Sequence, residues 1–176
     1  RPLNKDYDCY ITLLNQFKSD NYNTNKLLNN SMFNIIDIGF NSIFLKANKD
    51  LIELLKLFKL DYLDLEEKIK KTENKIFDLY NEKEKMFFSF DLKNNAEIKI
   101  PSLTNFFILF ADLNRDDVNT KIIKNLEDFN VNEKYFFTII KPDHQSFEEK
   151  RYWRGPVWIN TNWIIYKSLI NKNRNF

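Results

Sequence analysis

The chain has few of the residues that build disulfides, metal centres and histidine-dependent active sites. Among its 176 residues there is one cysteine, Cys9, and one histidine, His144. A single cysteine excludes an internal disulfide and most kinds of zinc-binding site. A single histidine argues against a histidine-rich metal site or a Ser-His-Asp triad. We therefore expect no metal and no cofactor, and we expect Cys9 to pack as a small apolar residue on the first helix.

Charge imbalance and long apolar runs are absent as well. The 27 Lys and Arg residues are interspersed with 25 Asp and Glu residues, which leaves a net charge of +2 and no electrostatic basis for binding nucleic acid. No apolar run reaches the roughly 18 residues of a membrane span. The hydrophobic fraction of 43% and the charged fraction of 30% are typical of a globular protein. We expect a cytoplasmic protein with neither nucleic acid nor a membrane as its partner.

Glycine and tryptophan are scarce too, and the sequence concentrates them in one segment. Of two glycines and three tryptophans, Gly155 and all the tryptophans lie between residues 151 and 163. Gly155-Pro156 interrupts the backbone, and Pro156 can then occupy the first position of a helix over about residues 157–170. This pattern predicts aromatic rings and Arg154 on a turn at a helix N-terminus.

A sugar is a natural ligand for such a turn. The C–H faces of a pyranose pack on aromatic rings, while its hydroxyls need donors and acceptors such as Arg154, Asn162 and backbone groups. The alternative is structural, because aromatic residues at helical spacing usually belong to the core. In that interpretation Trp158 is a core residue and Tyr152 a packing residue. Trp163 is expected in the core in either case.

Apolar periodicity predicts a mainly helical chain with one short hairpin. Helices are predicted over residues 6–18, 40–58, 65–80, 103–111 and 116–126, with an Asn-rich connection over 20–30. The alternating segments 88–91 and 97–100 flank Asn94-Asn95, which predicts a β-hairpin. A short extended segment over 136–140 and a polar loop over 142–150 then lead into the tryptophan-rich segment.

The rare residues belong to one motif, Tyr152-Trp153-Arg154-Gly155-Pro156-Val157-Trp158, which is followed by Asn162-Trp163. This motif resembles the signature of glycoside hydrolase family 63, above all its mannosylglycerate hydrolase-like branch, and also the related mannosyl-oligosaccharide glucosidases. Weaker matches precede it in the family's order, at Arg1-Pro2, Tyr7, Asp37-x-Gly39-Phe40-Asn41, Phe88-x-x-Asp91 and Leu109-Phe110-Ala111. The resemblance therefore extends over nearly the whole chain.

The resemblance implies an (α/α)6 toroid, in which six helical hairpins close around a funnel. Because 176 residues are too few for the whole toroid, the expected fold is mainly α, a partial (α/α)6 toroid with a short β-hairpin near residues 87–100. We expect residues 1–176 to form a single domain, a central fragment of a glycosidase catalytic domain. Its partners would be a carbohydrate substrate and the missing flanking halves of its own barrel. An ordinary helical bundle also fits the helix pattern.

The function that the resemblance implies is inverting hydrolysis of small α-mannosides, α-glucosides or oligosaccharides. Such enzymes need two carboxyl groups across the scissile bond. In the family these lie in an Asp-Asn-Ser-type segment upstream and a Glu-Tyr-Phe-type segment downstream, and neither occurs here. We expect the chain to lack both catalytic carboxylates and to be inactive alone. The carboxylates nearest to the motif, Asp143, Glu148 and Glu149, are expected to form solvated ion pairs.

Carried over by motif, the expected substrate-binding residues are Tyr152, Trp153, Arg154, Gly155, Trp158 and Asn162. Gly155 would let the sugar approach the backbone. For Arg154 a structural brace to a carboxylate is an equal alternative, and for Asn162 a cap on a neighbouring turn is the favoured one. The alternative for the whole chain is a non-catalytic carbohydrate-binding remnant or a helical interaction domain.

Overall fold

The computed structural model describes residues 2–129 and 136–172, the side chains of 171 and 172 excepted. The α-helices are α1 (Asn4–Ser19), α2 (Thr24–Asn30), α3 (Ile38–Leu57), α4 (Leu63–Ile76), α5 (Asp116–Phe129) and α6 (Ile159–Lys172). Two 3-10 helices span Phe77–Leu79 and Leu103–Leu109. The structure is therefore mainly helical, as the periodicity predicts.

Five short strands accompany the helices: β1 (Ile35–Ile36), β2 (Tyr80–Asn81), β3 (Met86–Phe87), β4 (Ser89–Asp91) and β5 (Ala96–Ile98). The predicted hairpin is confirmed as antiparallel β4 and β5, in which Phe90 faces Glu97 across the ladder. Strand β1 adds to the free edge of β4, and β2 pairs with β3 in a separate ladder. Neither of these additional pairings was predicted, since two-residue strands leave almost no alternation in the sequence.

The hairpin turn is held by the Asp91 carboxylate. Both the backbone N–H and the side-chain amide of Asn94 donate to it, at 3.1 and 2.7 Å, and the backbone N–H of Lys93 donates at 2.9 Å. These hydrogen bonds favour the charged form and lower the pKa of Asp91. Asn95 then takes a left-handed conformation with φ of 49°, which asparagine tolerates better than most residues.

The connection predicted over residues 20–30 is not wholly a loop, because it contains α2. The side chain of Asn23 accepts a hydrogen bond from the backbone N–H of Lys26 at 3.1 Å and so caps this helix. Asparagine disfavours helix interiors but is among the best N-cap residues. The prediction considered the first property of asparagine and not the second.

The centre of the core is the 3-10 helix Leu103–Leu109. It contacts α3, α5, α6 and β3, and Leu103 and Phe106 within it are fully buried. Ser102 caps its start by accepting from the backbone N–H of Thr104. Beyond its end, Lys49 of α3 donates to the carbonyl oxygens of Ala111 and Asp112 at 2.9 and 2.8 Å. This central segment positions α3 and α6, and through α6 the tryptophan-rich segment.

Large apolar surfaces remain exposed on three helices. No residue of α1 is buried, and α3 buries Ile38, Leu45 and Ile52, while its long apolar stripe through Phe40, Phe44, Leu51 and Leu54 is exposed. The exposed side chains are Tyr7, Tyr10, Ile11 and Leu14 of α1, Phe40, Phe44, Leu51 and Leu54 of α3, and Ile159, Trp163, Tyr166 and Ile170 of α6. Each of these side chains is at least 42% exposed.

Two expectations about burial are wrong for the same reason. Cys9 is exposed on α1, and Trp163, expected in the core, is 55% exposed on α6. Each lies on a helix face that its neighbours in the described ranges leave largely open, and Phe110 meets the Trp163 ring at 6.4 Å without covering it. In that part of the chain no helix is both long and apolar enough to cross a membrane.

The exposed faces lead us to expect concentration-dependent self-association of the chain. Contiguous apolar surface of this extent usually marks an interaction site or an aggregation liability. Sedimentation velocity over a range of concentrations should show species larger than a monomer, and Phe44→Lys should reduce their proportion. A stable monomer at every concentration would contradict this expectation.

Candidate functional site

The tryptophan-rich segment lies in a loop that is fixed at both ends. Ile140 pairs with Ser102, and Val157 pairs with Thr138, each in an isolated antiparallel bridge. Between these bridges residues 141–156 form successive turns, as the prediction of a polar loop requires. The expectation that Pro156 opens the helix is wrong, because Val157 is extended by its bridge and α6 begins at Ile159.

Three rings stand together on this loop, and we call Tyr152, Trp153 and Trp158 the aromatic cluster. The indoles of Trp153 and Trp158 stack with centroids 5.4 Å apart and an interplanar angle of 24°. The Tyr152 ring lies edge-on to both, at 5.4 Å from Trp153 and 4.6 Å from Trp158. Tyr152 is 54% exposed and Trp153 49%. The cluster thus presents apolar ring surface to solvent.

The polar group of one ring is already used within the cluster. Trp158 Nε1 donates to the backbone carbonyl of Tyr152 at 2.9 Å. This hydrogen bond fixes the Trp158 indole across the turn and satisfies its only donor. A ligand on the cluster would therefore meet Trp158 as ring surface and not as a hydrogen-bond donor.

Arg154 braces the loop internally. Its Nη1 is 2.7 Å from Glu148 Oε1, and its Nε donates to the carbonyl of Ser146 at 2.9 Å. The backbone N–H of Glu148 donates in turn to the Arg154 carbonyl at 3.1 Å. This geometry favours the structural alternative for Arg154, with the partner carboxylate in the same loop and not elsewhere in a toroid.

Arg151 links the loop to the first turn of α1. Its Nη2 donates to Asp6 Oδ2 at 3.0 Å, and its Nη1 lies 3.6 Å from Glu148 Oε2. Asp6, Glu148, Arg151 and Arg154 therefore form one connected set, which we call the ion-pair network. Sequence reasoning missed the Asp6–Arg151 pair, because 145 positions separate the two residues and no local pattern relates them.

The missing side chain of Gly155 lets the backbone of Glu148 and Glu149 pass close by. It is buried, and a Cβ at this position would lie 2.0 Å from the carbonyl oxygen of Glu148 and 2.6 Å from the Cα of Glu149. Such distances are far inside van der Waals contact. The close approach that we expected for a sugar is made by the 148–149 backbone.

Asn162 joins α6 to the extended segment beside it. Its Oδ1 accepts from the backbone N–H of Phe137 at 2.7 Å, and its Nδ2 donates to the carbonyls of Phe137 and Trp158, each at 2.9 Å. The residue is 9% exposed, and both amide hydrogens have acceptors. This arrangement favours the structural role for Asn162 over contact with a hydroxyl.

The carboxylates near the motif are mostly paired, as expected. Asp143 lies 3.1 Å from Lys141 Nζ, Glu148 binds both arginines of the network, and Glu149 is exposed. His144 is partly buried, and its Nδ1 accepts from the backbone N–H of Ser146 at 3.1 Å. Among the residues that the structure describes, no group of three His, Cys, Asp or Glu residues could hold a metal ion.

A second, apolar surface lies along α6. A groove of about 330 Å³ is lined by Phe136, Phe137, Ile159, Asn162, Trp163, Ile165, Tyr166 and Leu169. Trp163 therefore belongs to this groove and not to the aromatic cluster, and its ring lies 6.4 Å from that of Phe110. The motif's three tryptophans divide into a stacked pair and one separate residue.

The Asp37-x-Gly39-Phe40-Asn41 segment has a structural explanation. The Asp37 side chain accepts from the backbone N–H of Phe40 at 2.6 Å and caps α3. Asn41 Nδ2 donates to the Asp37 carbonyl at 2.7 Å. A Cβ on Gly39 would lie 2.9 Å from Thr104 Cβ, so this glycine permits close packing of α3 against the central 3-10 helix.

Comparison with known proteins gives matches over almost the entire chain. The model of the mannosylglycerate hydrolase MGH1-like glycoside hydrolase domain matches residues 1–174. The chain is 33% identical over 165 residues to a mannosylglycerate hydrolase of Thermus thermophilus, which covers 94% of the chain and 40% of that protein. It is 28% identical over 174 residues to the mannosylglycerate hydrolase of Rubrobacter radiotolerans, covering 96% and 39%. The chain thus spans about 40% of the length of these relatives.

Solved structures of family 63 enzymes are similar to this chain as well. The crystal structure of a family 63 mannosylglycerate hydrolase from Thermus thermophilus in complex with glucose superposes with a TM-score of 0.94 at 31% identity, over 99% of this chain and 42% of that one. The same enzyme in complex with Tris and D-glycerate gives 0.91 at 32% identity, over 97% and 42%. A neutral trehalase from Saccharomyces cerevisiae, 17% identical, gives 0.66 over 77% and 28% and supports the fold alone. The helices are therefore part of an (α/α)6 barrel.

Proposed function

Because the chain belongs to the mannosylglycerate hydrolase MGH1-like family of glycoside hydrolases, we propose that it supplies the sugar-binding surface of an inverting α-glycoside hydrolase. The substrates are small α-mannosides or α-glucosides, or oligosaccharides, and the aromatic cluster holds the sugar ring. Tyr152, Trp153 and Trp158 make the contacts, and Arg154, Gly155 and Asn162 set the geometry of the loop that carries them.

The observation that carries this proposal is the exposure of a rigid group of three rings. About half of the Tyr152 and Trp153 surfaces is open to solvent, although burial of aromatic surface is normally favourable. The rings are nevertheless held in fixed mutual orientation by stacking and by the Trp158 hydrogen bond. A pyranose gains by covering such a surface with its C–H face, while its hydroxyls stay available to other groups.

The substrate class follows from the relatives. Proteins similar to this chain act on mannosylglycerate and, at 24% identity, on glucosylglycerate. A similar structure contains glucose and another contains D-glycerate. Mannosylglycerate and glucosylglycerate each join a hexose to glycerate, and glucose and D-glycerate are the kinds of group that such a substrate contains. They support a substrate of that type for the protein to which residues 1–176 belong.

Catalysis also needs two carboxyl groups, and the aromatic cluster has no suitable pair beside it. An inverting mechanism places a general acid and a general base roughly 6.5–9.5 Å apart with a water between them. Glu148 and Asp143 are paired with arginine and lysine, and the exposed Glu149 is one carboxyl group where the mechanism needs two. We propose that both catalytic carboxylates come from outside residues 1–176, and that the chain alone hydrolyses no aryl α-mannoside or α-glucoside.

Sugar binding at the cluster can be tested with the chain as it stands. Titration with mannose, glucose and glycerate should give a saturable change in tryptophan fluorescence, and Trp153→Ala should weaken the apparent affinity about tenfold or more. Trp163→Ala is the matched control, because Trp163 is similarly exposed but lies on the α6 groove.

The opposite pattern would contradict the proposal. A fluorescence response that survives Trp153→Ala and disappears in Trp163→Ala would move the ligand site to the groove. Turnover of an aryl glycoside that is abolished by Glu148→Gln or Glu149→Gln would show that a catalytic carboxylate lies within the chain.

A helical interaction domain is the second candidate, and the exposed faces of α1, α3 and α6 favour it. The two functions differ in their response to Trp153→Ala. A purely helical interface keeps its self-association in this variant and shows no sugar response in the parent chain, whereas the proposed sugar surface loses its ligand.

A further inference from the structure

We infer that Asp6 and Arg151 are positioning residues for the aromatic cluster, joined by an ion pair that sets the cluster's geometry. Their effect on a sugar rests on the function proposed above, whereas their effect on ring geometry does not.

Arg151 and Arg154 flank two residues of the aromatic cluster. Tyr152 and Trp153 lie between Arg151 and Arg154, and both arginines bind the carboxylate of Glu148. Backbone hydrogen bonds hold the same residues together. The N–H of Arg151 donates to the Glu148 carbonyl and the N–H of Arg154 to the Arg151 carbonyl, each at 2.9 Å. The two guanidinium groups therefore hold both ends of the two-residue segment that carries two of the three rings of the cluster.

Asp6 connects Arg151 to the start of α1. Asp6 Oδ2 accepts from Arg151 Nη2 at 3.0 Å and from the backbone N–H of Leu3 at 2.7 Å. One carboxylate thus caps the start of α1 and binds the loop. The Asp6 side chain is 22% exposed and that of Arg151 28%, so water screens this pair less than the more exposed ion pairs of α4.

Asp6 and Arg151 form the polar link between α1 and the loop. Among the described residues this pair joins α1 to the loop of residues 141–156, while the side chain of Gln16, near the other end of α1, bonds to the backbone of Asn30 and Met32. The orientation of the cluster relative to α1 therefore depends on Asp6 and Arg151.

Asp6→Asn tests the inference, because the amide keeps the oxygen that accepts from Leu3 but loses the charge that binds Arg151. The control is Asp8→Asn, which removes the same charge from an exposed position two residues along the same helix. Near-ultraviolet circular dichroism reports the tertiary packing of the stacked indoles. We expect the tryptophan bands of Asp6→Asn to fall to about half of the parent intensity with unchanged helix content, and those of Asp8→Asn to stay as in the parent.

Arg151→Gln provides a second approach from the loop side. It should produce the same spectral loss, and the double variant Asp6→Asn/Arg151→Gln should lose no more than either single variant, since coupled residues are not additive. Unchanged tryptophan bands in Asp6→Asn, or fully additive losses in the double variant, would overturn the inference.

The sugar titration separates this inference from the proposed function. If the cluster binds sugar, Asp6→Asn should weaken the binding by up to about fivefold and Asp8→Asn should leave it unchanged. If the parent chain binds no sugar, the proposed function fails, but the spectral comparison still decides whether Asp6 and Arg151 position the rings.

Discussion

Gly155→Ala should destroy the geometry of the aromatic cluster and destabilise the chain by about 3 kcal/mol or more. The new Cβ would lie 2.0 Å from the Glu148 carbonyl oxygen. Because the obstructing atoms belong to backbone that is itself hydrogen-bonded to Arg151 and Arg154, no side-chain movement can relieve the clash. Denaturant unfolding should report the loss of stability, and near-ultraviolet circular dichroism the loss of the stacked indoles.

The other glycine of the chain provides the comparison. In Gly39→Ala the added Cβ meets the Cβ of Thr104 at 2.9 Å and the Thr104 carbonyl at 3.4 Å, so a small shift of α3 restores contact. We expect a smaller loss of stability than for Gly155→Ala and unchanged tryptophan bands. Equal losses in the two variants, or intact tryptophan bands in Gly155→Ala, would show that Gly155 does not determine the loop.

Phe106→Ala should lower the free energy of unfolding by about 3–5 kcal/mol. Phe106 is fully buried in the central 3-10 helix, and its ring meets that of Phe129 edge-on at 5.3 Å. Removal of the ring leaves a cavity at the point where α3, α5 and α6 pack on the same segment. Urea denaturation followed by far-ultraviolet circular dichroism measures the change.

Phe58→Ala removes the same side chain from an exposed position. Phe58 is 68% exposed at the end of α3, and its truncation should change stability by no more than about 0.5 kcal/mol. A comparable loss in both variants would mean that Phe58 is covered in solution, for example by self-association through α3, and that burial within one chain does not determine the ranking.

The sequence predicts the elements of this fold better than their partners. Apolar periodicity locates α1, α3, α4 and α5, and alternation around Asn94-Asn95 locates β4 and β5. The same periodicity does not say which face is covered. On α3 the long apolar stripe lies outside while Ile38, Ser42 and Leu45 are buried, because coverage depends on elements brought together from distant parts of the chain.

In the site, too, the sequence predicts which residues cluster locally but not the contacts between residues distant in sequence. Clustering of the rare tryptophans points to residues 152–158, and the structure brings Tyr152, Trp153 and Trp158 together there. The structural reason for Gly155 could not be predicted, and for Arg154 the sequence suggested a brace to a carboxylate but not its partner, since both depend on how the loop folds back on Glu148. The Asp6–Arg151 pair has no sequence pattern at all, because it joins residues from the two ends of the chain.

The most direct test of the proposed sugar surface is the response of the three indole N–H resonances in a nitrogen-15 NMR titration with mannose or glucose. Each tryptophan gives one such resonance, and Trp163 on the α6 groove serves as the internal control. We predict saturable shifts for Trp153 and Trp158 with an unchanged resonance for Trp163. A shift of Trp163 alone, or no shift of any indole at sugar concentrations in the hundred-millimolar range, would contradict the assignment of the aromatic cluster as the sugar site.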